Sequence, residues 1–341
     1  MIPFTYQRAD DVAGAVDYLR DHPGAKLLAG GTNLVDHMKL GVANPPALVD
    51  ISRLPLDQIS ENPDGSLRLG ATARNADTAA HPLVRRRYPI LARALLAGAS
   101  PQLRNLATNA GNLLQRTRCV YFQDVTTPCN KRSPGSGCSA IGGYTRHHAI
   151  LGTPDADAPN TCVATHPSDM AVALTAMDAR IVVQGPDGER ELDVRALYRH
   201  PGDHPDLDTV LDPLDVIVAI DIPAPAPGSV STYRKVRDRA SYAFALVSVG
   251  AEITMDGDTT GGDTTGGGTI GEARIAFGGV AHKPWRAERA EAVLRGQQPS
   301  RELFTEAADA ELADARPLDG NAFKIPLLRR TLTAVLEELT R

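Results

Sequence analysis

Apolar positions along the first fifty residues switch between helical and strand spacing. Val12, Ala15, Val16 and Leu19 fall on one face of a helix that Asp10 or Asp11 can cap. AKLLAGG then reads as a short buried strand halted by glycines, a second helical stretch follows, and ALVDIS reads as a further strand. Apolar runs of this kind suit parallel strands covered on both faces.

Beyond Gly65 the pattern predicts a strand and a turn into a helix over SLRLGATARNADTAA, and another helix over PILARALLAGA. HPSDMAVALTAMDARIVVQGPDGERELDV predicts a capped helix, a strand, a Pro-Asp-Gly turn and a returning strand, and VIVAIDIPAP one strand more. Proline-rich PAPAPG, residues 223–228, is the candidate boundary. Past it, STYRKVRDRASYAFALVSVGAEITM reads as two strands or as a helix and a strand. The low-complexity DGDTTGGDTTGGGTIGE reads as a surface hairpin tip, and ARIAFGGV resumes the sheet. Helices are expected over residues 284–294 and 326–339.

A chain of 341 residues is long enough for two or more cores. With 42% hydrophobic and 23% charged residues and a net charge of −5, a soluble globular protein with a mildly acidic surface is expected. No basic patch dominates, so nucleic acid is not expected as a partner. The N-terminus lacks a basic region followed by an apolar one, and no run of 18 or more apolar residues occurs. Neither an export signal nor membrane insertion is therefore expected.

Two glycine-bearing segments carry candidate chemistry. In LLAGGTNLVDHMKLG, Gly30 and Gly31 stand where a strand stops; glycines there allow positive φ and bring backbone N–H groups toward a phosphate, with Thr32 and Asn33 adding side-chain bonds. The segment is neither GxGxxG nor a P-loop, and alone it is equally a simple turn. ATNAGNLL, residues 107–114, brings Thr, Gly and Asn together a second time, and Ser168 and Asp169 open a helix where a cap or a hydrogen-bonding ligand fits.

LLAGGTNLVDHMK, RNLATNAGNL, HPSDMAVALTAMDA, RASYAFALVSVGAEI, GGVAHKPWRAERAEAVLRG and DGNAFKIPLLRRTL together resemble the FAD-binding medium subunit of the molybdenum hydroxylases, in family order and over nearly the whole chain. The resemblance implies an α+β fold. Residues 1–224 would form a two-part FAD-binding domain of the vanillyl-alcohol-oxidase (PCMH) type, and residues 229–341 a small C-terminal α+β domain. It implies that Leu28, Ala29, Gly30, Gly31, Thr32, Asn33 and Leu34 hold the FAD pyrophosphate, with Thr108, Gly111, Asn112, Ser168 and Asp169 adding contacts; no catalytic residue is implied on this chain. Where many relatives read Thr-x-Gly-Gly-Asn, this chain has Ala110 before Gly111, and a turn requiring positive φ there would penalise alanine.

All four cysteines, Cys119, Cys129, Cys138 and Cys162, lie between Asn112 and Ser168, an interval much shorter in simpler family members. They belong to an insertion at about residues 114–165. Their spacing, C-x9-C-x8-C-x23-C, contains no CxxC knuckle, which weakens a zinc-ribbon reading. A 4Fe-4S cluster takes four thiolates around a larger core, and Gly135, Gly137, Gly142 and Gly143 would let the loop wrap one with N–H groups aimed at its sulfurs. Zinc, disulfides and free thiols stay open as alternatives. The branch of the family that includes aldehyde oxidoreductase flavin subunits carries such an insertion and is associated with an additional 4Fe-4S cluster.

His147 and His148 in this loop could tune the cluster or ligate a metal but are expected to be solvated, and Tyr121 and Phe122 to pack the insertion against the domain. The implied function is an electron-transfer subunit, with FAD and a 4Fe-4S cluster, of a molybdenum-cofactor aldehyde oxidoreductase. Its partners would be a large molybdenum-cofactor subunit and a small 2Fe-2S subunit, with a one-electron acceptor beyond the cluster. The compartment expected is the cytoplasm, or the periplasm by co-export with a partner. The alternatives are a self-contained flavin oxidase or dehydrogenase, and a non-enzymatic scaffold with a four-cysteine zinc site.

Overall fold

The computed structural model describes residues 1–256 and 268–341; the expected hairpin tip lies largely outside the described residues. Three sheets organise the chain. In the first, strands Thr5–Arg8, Ala47–Asp50 and Lys26–Leu28 run parallel in that spatial order. The helix Val12–Asp21 covers it with Ala15, Val16 and Leu19, and Asp11 caps that helix by accepting the Gly14 N–H at 2.7 Å.

The second sheet is antiparallel throughout, in the order Ile59–Glu61, Leu67–Gly70, Val216–Ile222, Arg180–Gly185, Gly188–Asp193. Helices Pro89–Ala97 and Asp169–Ala176 pack with it in the largest core cluster. Asp169–Ala176 is buried along its whole length, which explains its nearly uniform apolar sequence.

The third sheet, past the proline-rich segment, pairs Trp285–Arg286, Thr269–Gly278, Val247–Asp256 and Val230–Val236 antiparallel. Of the two readings open for residues 231–255, the pair of strands is the one observed. Expected helix 284–294 starts only at Glu288, because Trp285 and Arg286 are drawn into edge pairing with Phe277 and Ala276. A helix absent from the expectation, Arg301–Leu312, is capped by Ser300 and buries Phe304, Ala307, Ala308 and Leu312 against this core. The last helix, Lys324–Leu339, begins two residues before its expected start.

The cysteine-bearing segment, residues 114–165, contains one short helix, Val120–Gln123, and otherwise irregular chain. It is stitched to the third sheet's domain as well as to the first two. The Ile150 and Leu151 N–H groups both donate to the Val280 carbonyl, at 2.8 and 3.0 Å, and the two side chains join the C-terminal core. The cysteine-bearing segment is thus packed against both halves.

Candidate functional site

The two glycine segments meet. A Cβ on Gly30 would stand 2.1 Å from the Leu106 carbonyl oxygen, so only glycine lets the first loop lie against the backbone that leads into the second. Gly31 takes φ +71, turning the chain into the helix Leu34–Lys39. Thr108 caps the helix Asn109–Leu113 by accepting the Gly111 N–H at 3.3 Å. Ala110 is helical, with no positive φ, and its N–H donates to Ala71; the departure from Gly-Gly therefore carries no backbone penalty.

Between these segments and the start of Asp169–Ala176 lies a cavity of about 840 Å³, toward the upper end of the roughly 300–1,000 Å³ of small-molecule sites. Of the residues singled out from sequence, Gly31, Thr32, Asn33, Gly111, Asn112, Ser168 and Asp169 line it. Leu28, Ala29, Gly30, Leu34 and Thr108 do not line it. Asn112 joins the parts: its Oδ1 accepts from Ser168 Oγ at 2.7 Å and from Gln115 Nε2 at 2.8 Å, while its Nδ2 donates to Asn75 Oδ1 at 2.6 Å. Ser168 also caps its helix, accepting the Ala171 N–H at 3.0 Å.

Asp169 does not face the cavity as a free carboxylate. Lys235 Nζ donates to its Oδ2 at 2.7 Å and the Tyr233 hydroxyl to its Oδ1 at 2.5 Å, both from the strand Val230–Val236. The cavity is accordingly closed by the C-terminal half, whose Arg239, Tyr242, Phe244, Ser248, Gly278 and Gly279 also line it. Tyr242, at φ +50, and Ala99, at φ +48, are two of three described non-glycine residues in the left-handed region, and both line the cavity. Held strain of this kind gathers at binding sites. Nothing in the local pattern of RASYAFA, residues 239–245, marks it as cavity wall.

The four cysteines, dispersed in sequence, line a single small pocket with Tyr121, Phe122, Lys131 and His148. All four are free thiols. Cys129 and Cys138 face each other across an isolated antiparallel bridge, and Gly135, Gly137 and Gly142 provide positive φ around them. Burial pushes the Cys119 thiol up to about 11 against the pull of the Phe122 and Tyr121 N–H groups, and Cys162 up to about 12 against Lys131 and the Ala164 N–H. Burial raises Cys138 too, against the N–H groups of Ala140, Ile141 and Val163. Backbone donors are thus aimed at three sulfurs in a place where thiolates need a positive centre to form. Among the described residues, no three His, Cys, Asp or Glu side chains converge on a single-ion position; the sulfurs are arranged around the pocket instead.

Phe122 is fully buried with its ring edge-on to His37, the packing role expected of it. His147 is half exposed, but His148 is buried at 3% exposure, a correction to the expectation of a solvated imidazole. Its carbonyl is gripped by Lys324 Nζ at 2.8 Å and Asn321 Nδ2 at 3.2 Å, which draws it into the interface between the halves. The loop is braced at its base by Asp208: burial alone would raise this carboxyl, but Lys131 and Arg116 override it and hold it at about 2.

The cavity and the two-half architecture agree with the comparisons. Residues 2–225 match the FAD binding domain in molybdopterin dehydrogenase, and residues 231–338 the CO dehydrogenase flavoprotein C-terminal domain. The chain is 50% identical over 339 residues, 99% of its own length and 98% of the relative's, to the aldehyde oxidoreductase FAD-binding subunit PaoB of Escherichia coli strain K12. It is 28% identical to the carbon monoxide dehydrogenase medium chain of Hydrogenophaga pseudoflava, over 94% of this chain and 90% of that one. The solved carbon monoxide dehydrogenase from Hydrogenophaga pseudoflava, a form lacking the Mo-pyranopterin moiety, superposes with a TM-score of 0.74 at 28% identity, covering 99% of this chain and 98% of that one. The chain belongs to the FAD-binding subunits of the molybdenum hydroxylases, the oxidoreductase family of xanthine dehydrogenase and aldehyde oxidoreductase.

Proposed function

We propose that this chain is the FAD- and 4Fe-4S-containing electron-transfer subunit of a molybdenum-cofactor aldehyde oxidoreductase. One observation carries the reading: four thiols, Cys129 and Cys162 buried and Cys119 and Cys138 half-buried, line a pocket that shares Cys119 and His148 with the cavity formed by the two glycine loops. The 50% identity to an aldehyde oxidoreductase FAD-binding subunit supports aldehyde oxidation as the activity of the complex. Substrate chemistry would occur on a large molybdenum-cofactor subunit, linked through a small 2Fe-2S subunit, with electrons leaving to a one-electron acceptor. The complex would assemble in the cytoplasm.

The residues fit both groups. When bound, FAD supplies the exchange between two-electron and one-electron traffic. Residues 1–224 would bind it and residues 229–341 would close over it. Gly31, Thr32 and Asn33 would hold the pyrophosphate with their backbone and side chains, while Leu28, Ala29, Gly30 and Leu34 keep that loop in place. Gly111, Asn112 and Ser168 form the facing wall, with Thr108 capping the helix of the first two, and Asp169, neutralised by Lys235, ties it to the C-terminal half. Cys119, Cys129, Cys138 and Cys162 would ligate the cluster, and the N–H groups aimed at their sulfurs offset the negative charge that four thiolates bring into a buried site.

An anaerobic absorbance spectrum of the purified protein, with flavin, iron, sulfide and zinc quantified per chain, tests the reading. The expected result is one FAD with about four iron and about four sulfide. FAD with zinc, or with no metal, would retain the flavin subunit and remove the second redox centre; absence of FAD from undamaged protein would sink the whole.

A further inference from the structure

Cys119 and His148 are the two residues common to the walls of the flavin-sized cavity and the four-thiol pocket. The His148 Nε2 lies 3.2 Å from Cys119 Sγ. Its place does not depend on that contact, since the backbone is fixed separately: the His148 N–H donates to the Thr145 carbonyl at 2.9 Å, and its own carbonyl accepts from Lys324 and Asn321, both fully buried on the C-terminal half. The Tyr121 ring lies 6.3 Å away, centroid to centroid, inside the same pocket wall.

We propose that His148 is a positioning residue that holds the Cys119 sulfur at the boundary between the two centres and, by donating a hydrogen bond to it, raises the reduction potential of the four-thiolate centre. The proposal rests on the cluster reading above. A ligating thiolate carries no proton, so the imidazole must be the donor at Nε2. Reduction adds negative charge that spreads onto the ligand sulfurs, and a hydrogen bond to one of them favours the reduced state. Lys324 and Asn321 couple this contact to the C-terminal half, the same half whose Tyr242 and Phe244 line the flavin cavity.

The test uses the assembled enzyme with His148→Leu, which removes the donor, and His148→Gln, whose amide can still offer one. Iron, sulfide and FAD are measured per chain, and the reduced fraction of the cluster is followed by electron paramagnetic resonance across a series of fixed potentials. With cofactors retained, His148→Leu is expected to shift the oxidised-to-reduced ratio at the parent's midpoint about tenfold toward oxidised, which is about 59 mV for one electron. His148→Gln should restore most of it. An unshifted ratio in a fully loaded His148→Leu enzyme overturns the proposal, as does an equal shift in both variants, which would mean packing alone. Loss of iron from both variants would make His148 a structural support and equally overturn the tuning role. A parent enzyme without iron is a separate result, which removes the cluster reading itself.

Discussion

The ion pair between Asp169 and Lys235 joins the helix that walls the cavity to the first strand of the C-terminal half, and its energetics can be worked from the structure. The two side chains are 7% and 3% exposed, 2.7 Å apart, with Tyr233 and the Ala97 carbonyl completing their hydrogen bonds. Removing one partner of such a pair strands a buried charge, at about 3–5 kcal/mol, whereas replacing both is far cheaper because no charge is left behind. Asp169→Asn and Lys235→Met should therefore each destabilise the FAD-saturated protein by about 3 kcal/mol or more, and the double variant by well under their sum. The coupling should reach about 2–3 kcal/mol, the upper part of the range for residues in contact. Urea unfolding followed by circular dichroism measures the four corners of the cycle, and flavin fluorescence at each corner measures how far the cavity has loosened. Additive losses, or single losses under about 1 kcal/mol, would refute the reasoning, because they would mean that the pair is solvated and does not bind the two halves together.

Two further outcomes are expected. Gly30→Ala would force a Cβ onto the Leu106 carbonyl, and the resulting shift between the glycine loops, of the size of an overpacked core at about 1–3 kcal/mol, should weaken FAD binding by about five- to 150-fold. Equilibrium dialysis of FAD checks it against Gly41→Ala, which strains the backbone at φ +75 but meets no atom within 4 Å and lies off the cavity wall, so that FAD affinity should hold. Acid sensitivity should follow from buried histidines: burial, with Arg118 and Arg116, lowers His37 to about 4, and burial lowers His166 to about 4. Because the unfolded chain protonates these rings near pH 6.5 and the folded chain does not, their contribution to stability should be level above that pH. It should then fall toward pH 4, by about 1.4 kcal/mol per pH unit for each withheld proton. Urea midpoints measured from pH 8 to 5 that stay flat would remove the prediction.

Local pattern reached furthest where one element solves its own problem. The Asp11 cap, the Ser168 cap and the apolar faces of Val12–Asp21 and Asp169–Ala176 were all legible, since a cap and a buried stripe are set by residues a few positions apart. Trp285 and Arg286 were misread as helix because edge pairing with Phe277 and Ala276 is a long-range bond that outweighs local preference. Arg301–Leu312 was passed over although Ser300 and the small residues Ala307 and Ala308 signalled it. His148 looked solvated because a loop histidine ordinarily is; its burial comes from Lys324 and Asn321, far along the chain.

By itself the sequence determined part of the succession of helices and strands, the two glycine loops, the Ser-Asp helix start and the confinement of all four cysteines to residues 119–162, because each is a matter of residue type and near neighbours. Tertiary structure alone decided that Gly30 abuts Leu106, that Asp169 is neutralised by Lys235, that Tyr242 and Phe244 wall the cavity, and that dispersed thiols surround one pocket sharing Cys119 and His148 with it. Those facts depend on which distant surfaces the cores bring together, and burial, charge pairing and backbone approach act only once the chain has closed on itself.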